Sequence, residues 1–212
     1  SNSVQSAMGQ IFNSDRKRYY KLQEAFEVYY LAIVFSLLAV TSILILPFMK
    51  LYTAGADINY VDWKLMVLFG LYQLMSYGRV TSNQIISYAG AFRETRTAAI
   101  LEAVINLAVS LICVFKFGIY GVLIGTVAAL IYRSNDIILY ANRKIMKRSA
   151  WPTYRRWLID FIIFIVLVAG FLQLPISLDS YVMFFLNAIW ITIVVFLSLI
   201  HISEPTRLGM IS

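Results

Sequence analysis

The chain has 212 residues, of which 60% are hydrophobic and 14% charged, and its mean hydropathy is +0.75. Soluble domains carry about 45–50% apolar and about 25% charged residues, so this composition excludes an ordinary water-soluble globule. It also excludes a disordered chain, which has few apolar residues, and a disulfide scaffold, because there is one cysteine. The net charge of +7 fits either a nucleic-acid surface or basic loops beside a membrane.

Six apolar runs approach the length of about 17–25 residues that a transmembrane helix needs. They cover residues 28–49, 63–88, 97–115, 119–141, 157–174 and 181–200. The first run is expected to end at Pro47. The runs are continuous, whereas the strands of a membrane barrel alternate apolar and polar residues. Because a helix satisfies its own backbone polar groups in lipid, the sequence predicts an all-α polytopic membrane helix bundle with six transmembrane helices.

The residues outside these runs define the predicted organisation. Residues 1–27 are predicted to be the cytoplasmic end of a preceding helix plus a helical lead-in, although a surface-lying amphipathic segment over 11–30 fits equally well. The segments that follow are a four-helix portion at 28–141, a basic loop at 142–156, two further helices at 157–198, and residues 199–212. The last of these resembles a translated sequencing adaptor, so His201 is expected to have no function. The start without Met or signal peptide predicts a piece of a longer protein.

Basic residues concentrate in alternate loops. Twelve lie before the first run, between the second and third, and between the fourth and fifth, whereas the other loops hold only Lys50, Lys64 and Lys116. The positive-inside rule places residues 1–27, 89–96 and 142–156 in the cytoplasm. A nucleic-acid surface has no reason to alternate in this way, so no nucleic-acid partner is expected.

Three consecutive runs each place polar side chains inside the membrane at two matching depths. A rise of about 1.5 Å per residue gives depths of about 12–14 Å and about 7–8 Å. The deeper layer holds Arg79, Asn106 and Arg133, and the shallower layer holds Asn83, Glu102 and Asp136. A charge at the centre of a span costs about 2.5–3.5 kcal/mol, so such groups face a bundle interior or a watery cavity.

Two interpretations fit these layers. One is a structural set of hydrogen bonds and ion pairs between helices, in which Asp136 neutralises Arg133 and Glu102 is a counter-ion. The other is a cationic cavity for an anionic substrate, open to the cytoplasm. The candidate substrate-binding residues in that second case are Arg79, Asn83, Glu102, Asn106 and Arg133.

Catalytic chemistry has no recognisable motif in this sequence. Cys113 stands alone in an apolar run, metal-ligand spacings are absent, and no glycine-rich phosphate loop follows a strand. We therefore expect no enzyme activity, no catalytic residue, no cofactor and no metal. Gly121 and Gly125 form a small-xxx-small face for close helix packing, and Gly118 suits a tight turn before it.

The stretch 87–128, with the hairpin KFGIYGVLIGT at 116–126 and Asn106 in mid-helix, resembles oligosaccharide flippases. These belong to the multidrug/oligosaccharidyl-lipid/polysaccharide exporter superfamily. The turn after Pro47 also resembles the family's proline-terminated helix. The similarity covers about residues 1–156, and the last two helices more loosely.

The resemblance implies a carrier of about 12–14 helices in two lobes, of which this chain is the C-terminal half. Its partners would be a lipid-linked oligosaccharide, membrane lipids and the N-terminal lobe missing here. The expected function is flipping of a polyprenyl-diphosphate-linked oligosaccharide across the bacterial inner membrane, for exopolysaccharide, capsule or O-antigen assembly. Arg79 would attract the diphosphate and Arg133 assist, with Asn83, Glu102 and Asn106 lining the cavity.

Three alternatives stay open from the sequence. A cation-coupled multidrug exporter of the same superfamily would favour acidic cavity residues, and here the deep charges are mixed. A membrane-embedded polysaccharide polymerase or acyltransferase would need a catalytic His or acid in a sizeable loop, and 142–156 holds neither. A non-transporting membrane scaffold is the third alternative.

Overall fold

The structure, a computed structural model, describes residues 2–54, 61–173 and 180–203, and within these ranges the regular elements are all helices. The α-helices are α1 (Asn2–Ser14), α2 (Arg16–Tyr52), α3 (Trp63–Gly78), α4 (Val80–Tyr88), α5 (Arg96–Phe117), α6 (Ile119–Leu139), α7 (Trp151–Gln173) and α8 (Tyr181–Ser203). A π-helical turn, Tyr140–Ile145, follows α6 directly. The all-α prediction is confirmed. Of the adaptor-like segment, residues 204–212 lie outside the described residues.

Helix α2 begins at a side-chain cap and runs from the lead-in through the first apolar run. The carboxylate of Asp15 accepts a hydrogen bond from the backbone N–H of Arg18 at 3.0 Å, which satisfies a donor that the first turn leaves free. The expectation that this helix ends at Pro47 is wrong, because α2 continues to Tyr52. Proline removes one backbone donor and crowds the preceding turn. The helix absorbs this loss and closes at Thr53, whose hydroxyl donates to the Met49 carbonyl at 2.7 Å.

The second predicted run is divided at one residue. Helix α3 ends at Gly78, α4 begins at Val80, and Arg79 lies between them. A Cβ at Gly78 would overlap the indole of Trp157 on α7, so this position requires glycine. Glycine also lowers helix stability, and the interruption directly follows this glycine.

Four of the described helices are long and apolar enough to cross a membrane. They are Arg16–Tyr52, Arg96–Phe117, Ile119–Ile145 and Tyr181–Ser198. Helix α3 has 16 residues and is by itself shorter than the about 17–25 residues of a span. Helix α7 carries Arg155, Arg156 and Asp160 and is not among the four. The helices support a membrane protein, but the count of six spans is not confirmed.

Helix α2 organises the bundle. It packs against α3, α7 and α8, while α6 packs against α5 and α3. The main apolar core is shared by α2, α3, α7 and α8 and includes Leu31, Phe35, Leu74, Phe171, Ile191 and Val195. A second cluster, in which α1 covers the end of the bundle, includes Phe12, Tyr19, Ile85, Ile86 and Ile137. Helix α5 has no buried residue, so it forms one edge of the described bundle.

Candidate functional site

Three elements bring the deep charges together. Arg79 occupies the interruption between α3 and α4, Glu102 lies in the second turn of α5, and Arg133 lies on α6. The Ser134 hydroxyl donates to the Met75 carbonyl at 2.9 Å, which ties α6 to the end of α3. The packing of α5 along α6 then carries Glu102 to the same level.

Glu102 bridges the two arginines. Its Oε1 lies 3.2 Å from Nη1 of Arg79, and its Oε2 lies 3.4 Å from Nε of Arg133. Arg133 also pairs with Asp136, at 2.7 Å between Nη1 and Oδ2. We call Arg79, Glu102, Arg133 and Asp136 the span cluster. It joins three neighbouring segments of the chain through alternating positive and negative groups.

The span cluster is balanced in charge and partly exposed at the surface of the described bundle. Two guanidinium groups face two carboxylates, so the formal charges of the cluster cancel. The Arg79 side chain is 22% exposed, Glu102 25% and Asp136 28%, whereas Arg133 is 10% exposed. A guanidinium fork binds a phosphate in the same bidentate manner as a carboxylate. Arg79 is therefore the cation that an entering anion reaches most easily.

The two predicted amides lie outside the span cluster. The Asn106 side chain accepts hydrogen bonds from the hydroxyls of Ser110 at 3.1 Å and Thr126 at 3.5 Å, so it joins α5 to α6. Asn83 is exposed on α4, and although its backbone N–H donates to the Arg79 carbonyl at 2.9 Å, no described side-chain contact connects it to the span cluster. Of the five candidate residues, the structure brings together Arg79, Glu102 and Arg133.

The α5–α6 hairpin sets the position of Glu102. Gly118 has φ +56° at the turn, a left-handed conformation that favours glycine. A Cβ at Gly121 would overlap the backbone of Cys113, and one at Gly125 would overlap Ser110. The predicted turn and the predicted small-xxx-small contact are both confirmed.

A second ionic cluster, which the sequence did not predict, lies near the N-terminal end of α2. Glu24 accepts from Nη1 of Arg148 at 2.6 Å, and Glu27 pairs with Nη1 of Arg156 at 2.5 Å and with Nη2 of Arg148 at 3.7 Å. We call Glu24, Glu27, Arg148 and Arg156 the base cluster. The side chains of Glu27 and Arg156 are only 2% and 5% exposed. The sequence does contain a signal for this cluster. Glu24 and Glu27 are one helical turn apart, and the segment 143–156 is rich in basic residues that could pair with them.

Two further features concern ligands. Among the described residues, no group of three or more His, Cys, Asp or Glu side chains is placed to hold a metal ion. A cleft of about 380 Å³ between α2 and α3 is lined mainly by apolar side chains, with Asp62 and Gln73 among the polar ones, and no member of the span cluster lines it. The span cluster thus lies outside this apolar cleft.

The Asp62 carboxylate, which itself lies outside the apolar spans, links the starts of α3 and α6. It accepts from the Tyr120 hydroxyl and caps α3 through the backbone N–H groups of Lys64, at 2.8 Å, and Leu65, at 3.2 Å. The Tyr120 hydroxyl has the largest effect, and these donors together hold the pKa of Asp62 below its usual range, although desolvation raises it.

Comparisons with known proteins return no similarity: no family model matches this chain, and neither a curated protein nor a solved structure does.

Proposed function

We propose that this chain is the C-terminal half of a carrier that flips a polyprenyl-diphosphate-linked oligosaccharide across the bacterial inner membrane by alternating access. In this proposal the product feeds exopolysaccharide, capsule or O-antigen assembly. The chain would act with a second lobe. The side of the bundle whose loops hold the twelve basic residues would face the cytoplasm. The proposal rests on the resemblance of 87–128 and on the contacts of the span cluster.

The convergence of two guanidinium groups on one carboxylate is the observation that carries the proposal. Arg79 comes from the interruption between α3 and α4 and Arg133 from α6, and both contact Glu102 within 3.4 Å. Two arginines held at one point can bind the separate phosphoryl groups of a diphosphate, each through paired hydrogen bonds. Glu102 is then the group that a diphosphate replaces.

Arg79 and Arg133 have different tasks in this scheme. Arg79 has one described ion pair, at 3.2 Å and partly exposed, so exchanging Glu102 for a phosphate costs it little. Arg133 keeps Asp136 at 2.7 Å during the exchange and holds the site on α6. Because the resting cluster is neutral, it has no net charge to stabilise within the membrane until the anion enters.

The test is translocation of lipid-linked oligosaccharide in cells that express the transporter containing this chain. Arg79→Gln should remove most transport at unchanged protein level, and Arg79→Lys, which keeps the charge but loses the fork, should restore part of it. Lys116→Gln removes one exposed cation far from the span cluster and should transport normally. Wild-type transport by Arg79→Gln would overturn the proposal.

A cation-coupled drug exporter is the second candidate, and the two carboxylates of the span cluster favour it. In such an exporter Glu102 or Asp136 would take up the coupling cation, and the arginines would only position them. Glu102→Gln would then abolish export of a cationic drug, while Arg79→Gln would retain it. The two functions therefore predict opposite orders of severity for the same pair of variants.

A further inference from the structure

The segment that joins α6 to α7 is a turn held by backbone hydrogen bonds. After the π-helical turn, the backbone N–H of Met146 donates to Ala141 at 3.0 Å and that of Arg148 donates to Asn142 at 2.9 Å. Lys147 has φ +53°, a left-handed conformation that is uncommon for a residue other than glycine. A π-helical turn and a left-handed residue are both costly and are often found at functional sites.

The basic residues of this turn and of the start of α7 fall into two groups. Arg148 and Arg156 point inward and pair with Glu24 and Glu27 in the base cluster. The outward group is exposed and consists of Arg143, Lys144, Lys147 and Arg155. The reversal at Lys147 allows two adjacent cations to face opposite directions. Among the described ion pairs, none involves the outward group.

A second row of cations lies at the same end of the bundle. Lys17, Arg18 and Lys21 are exposed on the first turns of α2. The contact between Glu24 and Arg148 brings this row beside the turn, because Lys21 precedes Glu24 by one helical turn. The inward arginines neutralise the nearby acids, so the outer surface keeps its positive charge.

The same surface carries an aromatic side chain suited to a membrane interface. Trp151, at the start of α7, is 64% exposed beside the outward cations. Tryptophan is enriched at the headgroup level of bilayers, where its ring lies between apolar and polar layers. A surface that binds nucleic acid would instead stand clear of the membrane, whereas this one borders helices long enough to cross it.

We infer that the outward group, together with Lys17, Arg18 and Lys21, forms a binding surface for anionic phospholipid headgroups of the adjacent leaflet. This inference does not depend on the transport proposal, since it concerns the opposite end of α2 from Pro47 and uses no member of the span cluster. Each cation removed should weaken binding of anionic lipid roughly fivefold.

The experiment measures the midpoint of thermal unfolding of the full chain in a neutral detergent, with added phosphatidylglycerol or phosphatidylcholine. The test variant combines Arg143→Gln, Lys144→Gln and Lys147→Gly, and the glycine suits the left-handed backbone at 147. The matched control combines Lys50→Gln, Lys64→Gln and Lys116→Gln, which removes three exposed cations at the other end. Arg155→Gln is a single variant for use if the triple variant fails to fold.

Phosphatidylglycerol should raise the midpoint of the wild type and of the control, and this rise should be lost in the test variant and reduced in Arg155→Gln. Phosphatidylcholine should have equal effects on all four proteins. The inference is overturned if the test variant keeps the full response, or if the control loses it equally. A soluble polyanion such as heparin that stabilises the protein as well as phosphatidylglycerol does would also overturn it, because the surface would then recognise charge without a membrane.

Discussion

The span cluster and the base cluster contain the same chemical groups, two arginines and two carboxylates each, but their central pairs are buried to different extents. Glu27 and Arg156 of the base cluster are almost fully buried, whereas Arg79 and Glu102 of the span cluster are about one quarter exposed. A buried charge needs its partner, since a lone charge there keeps a large desolvation penalty. A partly exposed pair contributes little to stability and can exchange partners. Burial therefore suits the base cluster to holding the fold, and partial exposure is compatible with the binding role proposed for the span cluster.

The largest expected effect is the loss of the buried carboxylate. Glu27→Gln removes the carboxylate that lies 2.5 Å from the buried Arg156 guanidinium, which should lower the free energy of unfolding by about 3–5 kcal/mol. Chemical denaturation in detergent measures this loss. Glu24→Gln, whose side chain is about one third exposed, is the matched control and should cost far less. Equal small losses in both variants would remove the distinction between the clusters.

The next effect concerns the hairpin that positions Glu102. Gly121→Ala places a methyl group against the backbone of Cys113, so α5 and α6 must separate. Overpacking of this kind typically costs about 1–3 kcal/mol. Gly70→Ala is the control, because a Cβ there meets nothing within 4 Å. If both alanine variants unfold alike, α5 is not held against α6 by this contact.

A smaller stability effect and a gain in binding are expected from Glu102→Gln. The pairs it breaks are partly exposed, so the free energy of unfolding should fall by at most about 1 kcal/mol. The freed arginines should bind inorganic pyrophosphate more tightly than the wild type does, as measured by calorimetry. A large loss of stability without any gain in pyrophosphate binding would make the span cluster structural, like the base cluster.

The smallest effect is a pH dependence at Asp62. Its pKa is lowered in the folded state, so its contribution to stability is present above the unfolded pKa and is lost as the pH falls through the folded pKa. Tyr120→Phe removes the hydroxyl with the largest effect. Wild type should have a slightly higher unfolding midpoint than Tyr120→Phe at neutral pH, and the difference should shrink as the pH falls through the lowered pKa of Asp62. A constant difference across this range would show that the Tyr120 contact acts independently of the Asp62 charge.

The sequence determined which parts of the chain are helical and apolar, because periodicity and length follow from local composition. The α5–α6 hairpin is the best case: its turn at Gly118 and its close contact through Gly121 and Gly125 were both predicted, since glycine acts through its own backbone and missing side chain. The end of the first helix at Pro47 was predicted wrongly, because one lost hydrogen bond does not stop a helix that packs on three neighbours.

Only the tertiary structure decided which charges meet. The sequence placed Glu102 and Asn83 in the shallower layer and Asn106 in the deeper one, but depth does not specify direction around a helix axis. Packing of α5 on α6 turned Glu102 to the arginines and Asn106 to the hairpin, while Asn83 stayed exposed. Likewise, Arg148 lies inward and its neighbour Lys147 outward, with a left-handed backbone at Lys147. Arg148 pairs with Glu24 over 124 residues of the chain, and Arg156 pairs with Glu27 over 129. Pairings over such separations depend on how the helices pack, which no local pattern encodes.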